Sequence, residues 1–169
     1  MSYIKTDVWL YRPHGIISIE PIYDKLDGLF GLKNKKILHL FAGKSKIGDT
    51  CDVNNTFQPK FNIDCTADLP FEDNSYDVVF AEPPYYDGHD YGCKPYSFVS
   101  EAIRVLKING FFAVMHPIRY MIPKGCIGYA LIGISTGPNL KARWLNVFQK
   151  KEHIINKEIK SDMSMRKMV

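Results

Sequence analysis

Five compact apolar runs punctuate the chain: KKILHLF (35–41), YDVVFA (76–81), GFFAVMH (110–116), IGYALIGIS (127–135) and KARWLNVFQ (141–149). They are continuous rather than alternating, the pattern of strands covered on both faces, which predicts an α/β protein with a parallel sheet. The last two flank TGPN, so an antiparallel hairpin is expected at the end of that sheet. Between the second and third runs, YSFVSEAIRVLK (96–107) sets Phe98, Ala102, Ile103, Val105 and Leu106 at near-helical spacing, with Asn109-Gly110 as the stop. PIYDKLDGLFGL (21–32) predicts a short helix closed near Gly31, and GDTCDVNN a short strand reaching Asp52.

Composition narrows the class. At 169 residues and 46% hydrophobic, the chain is expected to form one globular domain with a core of its own. The longest apolar stretches fall far short of the roughly 20 residues needed to span a bilayer. The opening segment lacks a continuous apolar core, so a cytoplasmic protein without signal peptide or membrane contact is expected. Cysteines 51, 65, 93 and 126 show no C-x-x-C pairing, which favours free thiols over disulfides or zinc. Asp87, His89 and Asp90 read as a polar loop, and no metal is expected. Net charge is +4, most of it in residues 150–169, where six Lys and Arg stand against three acids. The organisation expected is a lead-in (1–34), a core (35–150) and a basic tail (151–169).

Two regions carry candidate chemistry. In ILHLFAGKSKIGDT, Gly43 and Gly48 permit a tight bend just beyond a strand, where open α/β folds bind ligands. Asp52 at the next strand's tip is of the type that accepts ribose hydroxyls, and Asp64 in the following loop of the type that accepts from an adenine amine. The second region is AEPPYYDG (81–88). Proline cannot donate to a strand ladder, so Pro83 and Pro84 mark the exit of a strand and stiffen whatever Glu82 and Tyr85 present there.

Taken together, ILHLFAGKSKIG, CDVN, DCTADLPFEDNSYDVVF, EPPYY and EAIRVLKINGFF resemble a class I S-adenosylmethionine-dependent methyltransferase across roughly residues 35–150. The resemblance implies a Rossmann-like, seven-stranded, mostly parallel sheet with a reversed final strand and helices on both faces. It implies S-adenosylmethionine as cofactor, lined by Phe41, Ala42, Gly43, Ser45, Gly48 and Val53, with Asp52 at the ribose, Asp64 and Cys65 at the adenine, and Glu82 nearby. An alternative alignment uses Asp64 for the ribose and Asp68 for the adenine.

EPPY is similar to the tetrad of methyltransferases that modify exocyclic amines of adenine or cytosine, which begins with Asp, Asn or Ser. An arylamine lone pair is delocalised into its ring. Accepting both hydrogens, with a side-chain oxygen and a backbone carbonyl, favours a pyramidal nitrogen aimed at the methyl group. By resemblance Glu82 supplies the oxygen, Pro83 the carbonyl held still by Pro84, and Tyr85 a stacking face. The chain departs from the pattern in carrying His39 where the glycine motif has an acid, Lys44 and Ser45 in place of smaller residues, and Glu82, one methylene longer than usual. The activity implied is methylation of a DNA or RNA base, which requires flipping if the base lies in a duplex. The alternatives are a small-molecule or protein methyltransferase, or a noncatalytic cofactor-binding subunit. Arg119, Lys124, Lys141 and Arg143 are candidate phosphate contacts, and Tyr11, Arg12 and His14 a candidate cover for the cofactor. Sequence specificity would then come from loops, a homodimer partner or a separate specificity subunit.

Overall fold

The computed structural model describes residues 3–10, 22–85, 93–135 and 142–152. In chain order these form β1 (Tyr3–Leu10), α1 (Tyr23–Phe30), β2 (Ile37–Leu40), β3 (Asp49–Asp52), β4 (Phe61–Asn62), β5 (Tyr76–Ala81), α2 (Val99–Val105), β6 (Leu106–His116), β7 (Cys126–Ser135) and β8 (Arg143–Lys150). A short 3₁₀ turn at Asn55–Phe57 joins β3 to β4. The strands make one sheet in the order β1-β7-β8-β6-β5-β2-β3-β4.

Every pairing is parallel except those of β8, which runs antiparallel to both β6 and β7. This is the mostly parallel sheet with a reversed hairpin strand that the apolar runs predict. The TGPN turn itself lies outside the described residues. Among the described residues the sheet has eight strands rather than seven. The extra one is β1, which comes from the lead-in and pairs with β7 from Tyr3↔Gly128 to Leu10↔Ser135.

Strands β2 and β5 sit mid-sheet, and their residues are buried with little alternation because both faces are covered. On one face Leu38, Leu40, Val79, Phe112 and Val114 pack with Val99, Ala102 and Val105 of α2. On the other, Ile37, Val78, Phe80, Ala113 and Leu145 pack with Leu26 and Phe30 of α1. Helices therefore cover both faces. Helix α1 closes as expected: Gly31 takes φ 59° and its N–H donates to Asp27 O at 2.7 Å.

Helix α2 is shorter than its sequence periodicity predicts. It ends at Val105, and Leu106 is already extended. The Lys150 ammonium donates to the carbonyls of Ile103 and Leu106, both at 2.7 Å, so a side chain from β8 satisfies the helix's last acceptors. Asn109-Gly110 consequently stops nothing. It lies inside β6, where the register against β5 jumps from Tyr76↔Leu106 to Val78↔Phe111. A Cβ on Gly110 would stand 2.8 Å from Asp77 O.

LPFEDNSYDVVF and EAIRVLKINGFF prove to be two halves of one device. Arg104 of α2 donates to Leu69 O at 2.9 Å, Phe71 O at 2.8 Å and Asp73 Oδ1 at 2.7 Å. Glu101 braces it while accepting from Leu69 N–H at 2.8 Å. Among the described residues no helix is long and apolar enough to cross a membrane.

Candidate functional site

Strand order reverses between β2 and β5: β3 and β4 extend from β2 on one side, β6 and β8 from β5 on the other. Ligands of open α/β sheets sit beyond the carboxyl ends of the strands at such a reversal. Residues 41–48, 52–53, 64–65 and 82–85 stand at or just past the carboxyl ends of β2, β3, β4 and β5. The topology thus gathers both candidate regions around one crevice.

The first lip is the glycine turn. Phe41 (φ 55°) and Gly43 (φ 54°) both take left-handed conformations, folding the chain back immediately after β2. Ala42 N–H donates to Cys51 O at 3.0 Å, and Ser45 N–H to Ala42 O at 2.9 Å. Asp52 anchors the bend. Its Oδ2 accepts from Gly43 N–H and its Oδ1 from Asn54 N–H, each at 2.8 Å. A carboxylate has about four lone-pair sites, so each oxygen keeps capacity for a further donor.

A Cβ built on Gly43 meets nothing within 4 Å, so the outer surface of the turn is open. Gly48 (φ 71°) is the opposite case, since a Cβ there would lie 2.5 Å from Ile37 O. Its role is close approach to β2. Ser45 is buried within the turn, its Oγ accepting from Ile47 N–H at 3.3 Å. Lys46 is held on Phe57 O and Gln58 O, at 3.0 and 3.1 Å.

Cys65 lies under the turn. Its Sγ accepts from Phe41 N–H at 3.4 Å and donates to Cys51 O at 3.6 Å. Burial pushes this thiol up to about 12, the Phe41 N–H opposes, and Asp52 and Asp64 add to the rise. It is an unreactive spacer. Asp64 is exposed, with Oδ1 accepting from the N–H and hydroxyl of Thr66 at 2.8 and 2.7 Å. Asp68 is exposed as well. Val53, next to Asp52, is 73% exposed, an apolar side chain offered to solvent at the crevice.

The second lip begins where β5 ends. Glu82 N–H donates to Leu40 O at 3.2 Å, tying this lip to β2. Pro83 is buried, Pro84 exposed and Tyr85 half-buried. The Glu82 side chain turns toward His39, with Oε1 3.6 Å from Nε2. His39 is 0% exposed, and neither ring nitrogen has a hydrogen-bond partner, nor does the buried Glu82 Oε1. Buried polar groups left unpaired cost about 1–3 kcal/mol each.

Tyr85 belongs to an aromatic wall. The Arg143 guanidinium lies over its ring at 4.5 Å, and the His116 ring meets it edge-on at 5.1 Å. His116 in turn meets Tyr120 edge-on at 5.5 Å. Burial, with Arg143 adding, holds His116 down to about 4, so the imidazole is neutral near pH 7. Its Nδ1 accepts from Ile118 N–H at 3.1 Å, which leaves the proton on Nε2. Burial pushes the Tyr85 hydroxyl up to about 12, with Arg143 opposing and Glu82 adding. Asn146 pins the connection after β6, accepting from Tyr120 N–H at 2.9 Å and donating to Ile118 O at 3.3 Å.

His116 and Asn146 escape a motif-based reading. Their one sequence signal is a polar residue within an apolar run, GFFAVMH and RWLNVFQ. The candidate cations scatter: Arg119 covers the Tyr3 ring, Arg143 covers Tyr85, and Lys124 lines a groove of about 670 Å³ along α2 that contains no residue of either lip. Tyr11, Arg12, His14, Asp87, His89, Asp90 and Lys141 lie outside the described residues. Among the described residues, no three His, Cys, Asp or Glu side chains are placed to hold a metal.

Comparison with known proteins bears on the fold. No protein-family model and no curated protein sequence matches the chain. Among solved structures it is similar to TrmN from Thermus thermophilus (TM-score 0.59, 17% identity), over 75% of this chain and 47% of that one. The chain thus spans about half the length of that relative. It is also similar to yhhF from Escherichia coli, a protein assigned to the methyltransferases (TM-score 0.58, 11% identity, 85% and 92% covered). A third is the 1,6-didemethyltoxoflavin-N1-methyltransferase of Burkholderia thailandensis, solved with S-adenosylhomocysteine (TM-score 0.56, 9% identity, 79% and 78% covered). At these identities the likeness shows the fold, which is the Rossmann-like fold of class I methyltransferases.

Proposed function

We propose that this chain is an S-adenosylmethionine-dependent methyltransferase acting on an exocyclic amine of a DNA or RNA base. The observation that carries the reading is the meeting, at the sheet's reversal point, of an Asp52-anchored glycine turn and a rigid Glu82-Pro83-Pro84-Tyr85 lip. The first lip fits an adenosyl ligand: open space at Gly43, spare acceptor capacity on Asp52, exposed Val53 to cover a flat ring, and Asp64 beyond it. When bound, the cofactor supplies an electrophilic methyl group on a sulfonium.

The chain's own residues prepare the acceptor. Glu82 takes one amine hydrogen and the Pro83 carbonyl the other, which localises the nitrogen lone pair. Two consecutive prolines fix the dihedrals that aim that carbonyl. Tyr85 faces the base, a stack worth about 1–3 kcal/mol. Arg143 has no carboxylate partner among the described residues and supplies a cation for a backbone phosphate. Glu82 can accept the proton released after transfer. A homodimer partner or separate specificity subunit would supply sequence selection. The fold neighbour named as a 1,6-didemethyltoxoflavin-N1-methyltransferase makes a small-molecule acceptor the competing reading.

The test is transfer of tritiated methyl from the cofactor into DNA, RNA, protein and small-molecule pools. Label in nucleic acid, lost about 10²–10³-fold in Glu82→Gln with cofactor affinity preserved, is the expected result. Label confined to protein or small molecules would overturn the base assignment. Absence of any cofactor binding by calorimetry would overturn the whole reading.

A further inference from the structure

Two of the departures from the resembled pattern, His39 in the glycine motif and the longer Glu82 in the tetrad, are far apart in sequence but touch in the fold. They project from β2 and from the exit of β5, the neighbouring strands at which the sheet order reverses. His39 Nε2 and Glu82 Oε1 face each other at 3.6 Å, with side chains 0% and 14% exposed. These atoms and His39 Nδ1 have no other hydrogen-bond partner. Native folds seldom strand adjacent buried polar atoms without a use for them.

Charge explains why the replacements belong together. An acid at position 39 would put a second carboxylate against Glu82 in a dry site, where two like charges cannot both persist. An imidazole offers an N–H to the same oxygen. The extra methylene of Glu82 also gives its carboxylate more freedom than an aspartate has, so it needs tethering if it is to stay aimed.

We propose that His39 is a positioning residue for Glu82. Its Nε2–H holds Oε1 once a small side-chain rotation closes the 3.6 Å gap. The second carboxylate oxygen is then presented to the amine hydrogen that Glu82 accepts. This tether uses Nε2 and leaves Nδ1 without a partner. The pairing stands on geometry alone, whereas the use of the second oxygen rests on the proposed amine chemistry.

Two measurements on the full chain separate these layers. Long-range ¹H–¹⁵N spectra of ¹⁵N-histidine-labelled protein, with the His39 signals assigned by their loss in His39→Gln, report its tautomer. The expected result is an Nε2–H tautomer whose signals move in Glu82→Gln. An Nδ1–H tautomer, or signals indifferent to Glu82→Gln, would overturn the pairing whether or not the protein transfers methyl groups. In the transfer assay, His39→Gln places an amide near the Nε2 position and should retain kcat within about threefold. His39→Asn places it near Nδ1, out of reach, and should lose about 10–50-fold in kcat with cofactor affinity within about twofold. Equal losses in both amide variants, or a change confined to KM, would overturn positioning. If neither variant folds, the edge-on contact of the His39 ring with Phe80 assigns its signals through space, and the tautomer spectra of wild type and Glu82→Gln still decide the matter.

Discussion

The two lips of the crevice satisfy their polar groups in opposite ways. On the glycine-turn side, partners lie close in sequence: Asp52 with Gly43 and Asn54, Asp64 with Thr66, Lys46 with Phe57 and Gln58. On the EPPY side, His39, Glu82, His116 and Tyr120 each keep a buried polar atom unpaired, and the contacts that exist come from distant strands. A locally satisfied lip is a preformed cradle. A lip with stranded donors and acceptors is built to be completed by something else.

Breaking the cradle should give the largest effect. Gly48→Ala combines a left-handed φ with a Cβ driven into the Ile37 carbonyl, so a loss of about 4 kcal/mol in urea unfolding is expected. Gly43→Ala, with the same handedness but open space around it, should cost only about 1 kcal/mol. Equal losses would mean that space does not distinguish the two glycines.

The aromatic wall should show itself through pH. The His116 pKa lies below its unfolded value, so between about 6.5 and 4 the unfolded chain binds more protons and stability falls as pH falls. Stability is complete above the unfolded pKa. Unfolding at pH 7.5 and 4.5 should differ by about 2 kcal/mol more in wild type than in His116→Gln. An identical pH dependence in both would place that sensitivity elsewhere.

The smallest effect separates the two candidate acids. Asp52→Ala removes the acceptor of two backbone N–H groups and should cost about 1.5 kcal/mol, together with cofactor affinity measured by calorimetry. Asp64→Ala removes only an exposed local turn contact and should cost less than about 0.5 kcal/mol. Larger damage at Asp64 would favour the alignment that gives it the ribose.

The same contrast explains what could be read from the chain. The strands of the apolar runs, the reversed hairpin, the closure at Gly31 and the glycine bend after β2 are local matters, carried by apolar runs and glycine. Helix α2 ends early because Lys150, 44 residues beyond Leu106, caps it, and no local pattern announces such a partner. Strand β1 was hidden for the same reason, since it pairs with residues 126–135, far along the chain. His116, Asn146 and the meeting of His39 with Glu82 depend on which strands become neighbours. That is set by topology rather than by periodicity.

The edge position of β1 carries a consequence for how the molecule assembles. Residues 3–10 pair only with residues 126–135 among the described strands, so β1 gains its described partner only after most of the other described strands have been made. Ile4 and Val8 wait in water meanwhile, as they remain 63% and 67% exposed even when paired. Such a long loop closure comes late and is sensitive to competing strands during synthesis. Moving this segment to follow β8 through a flexible linker would let it be made after the strand it pairs with.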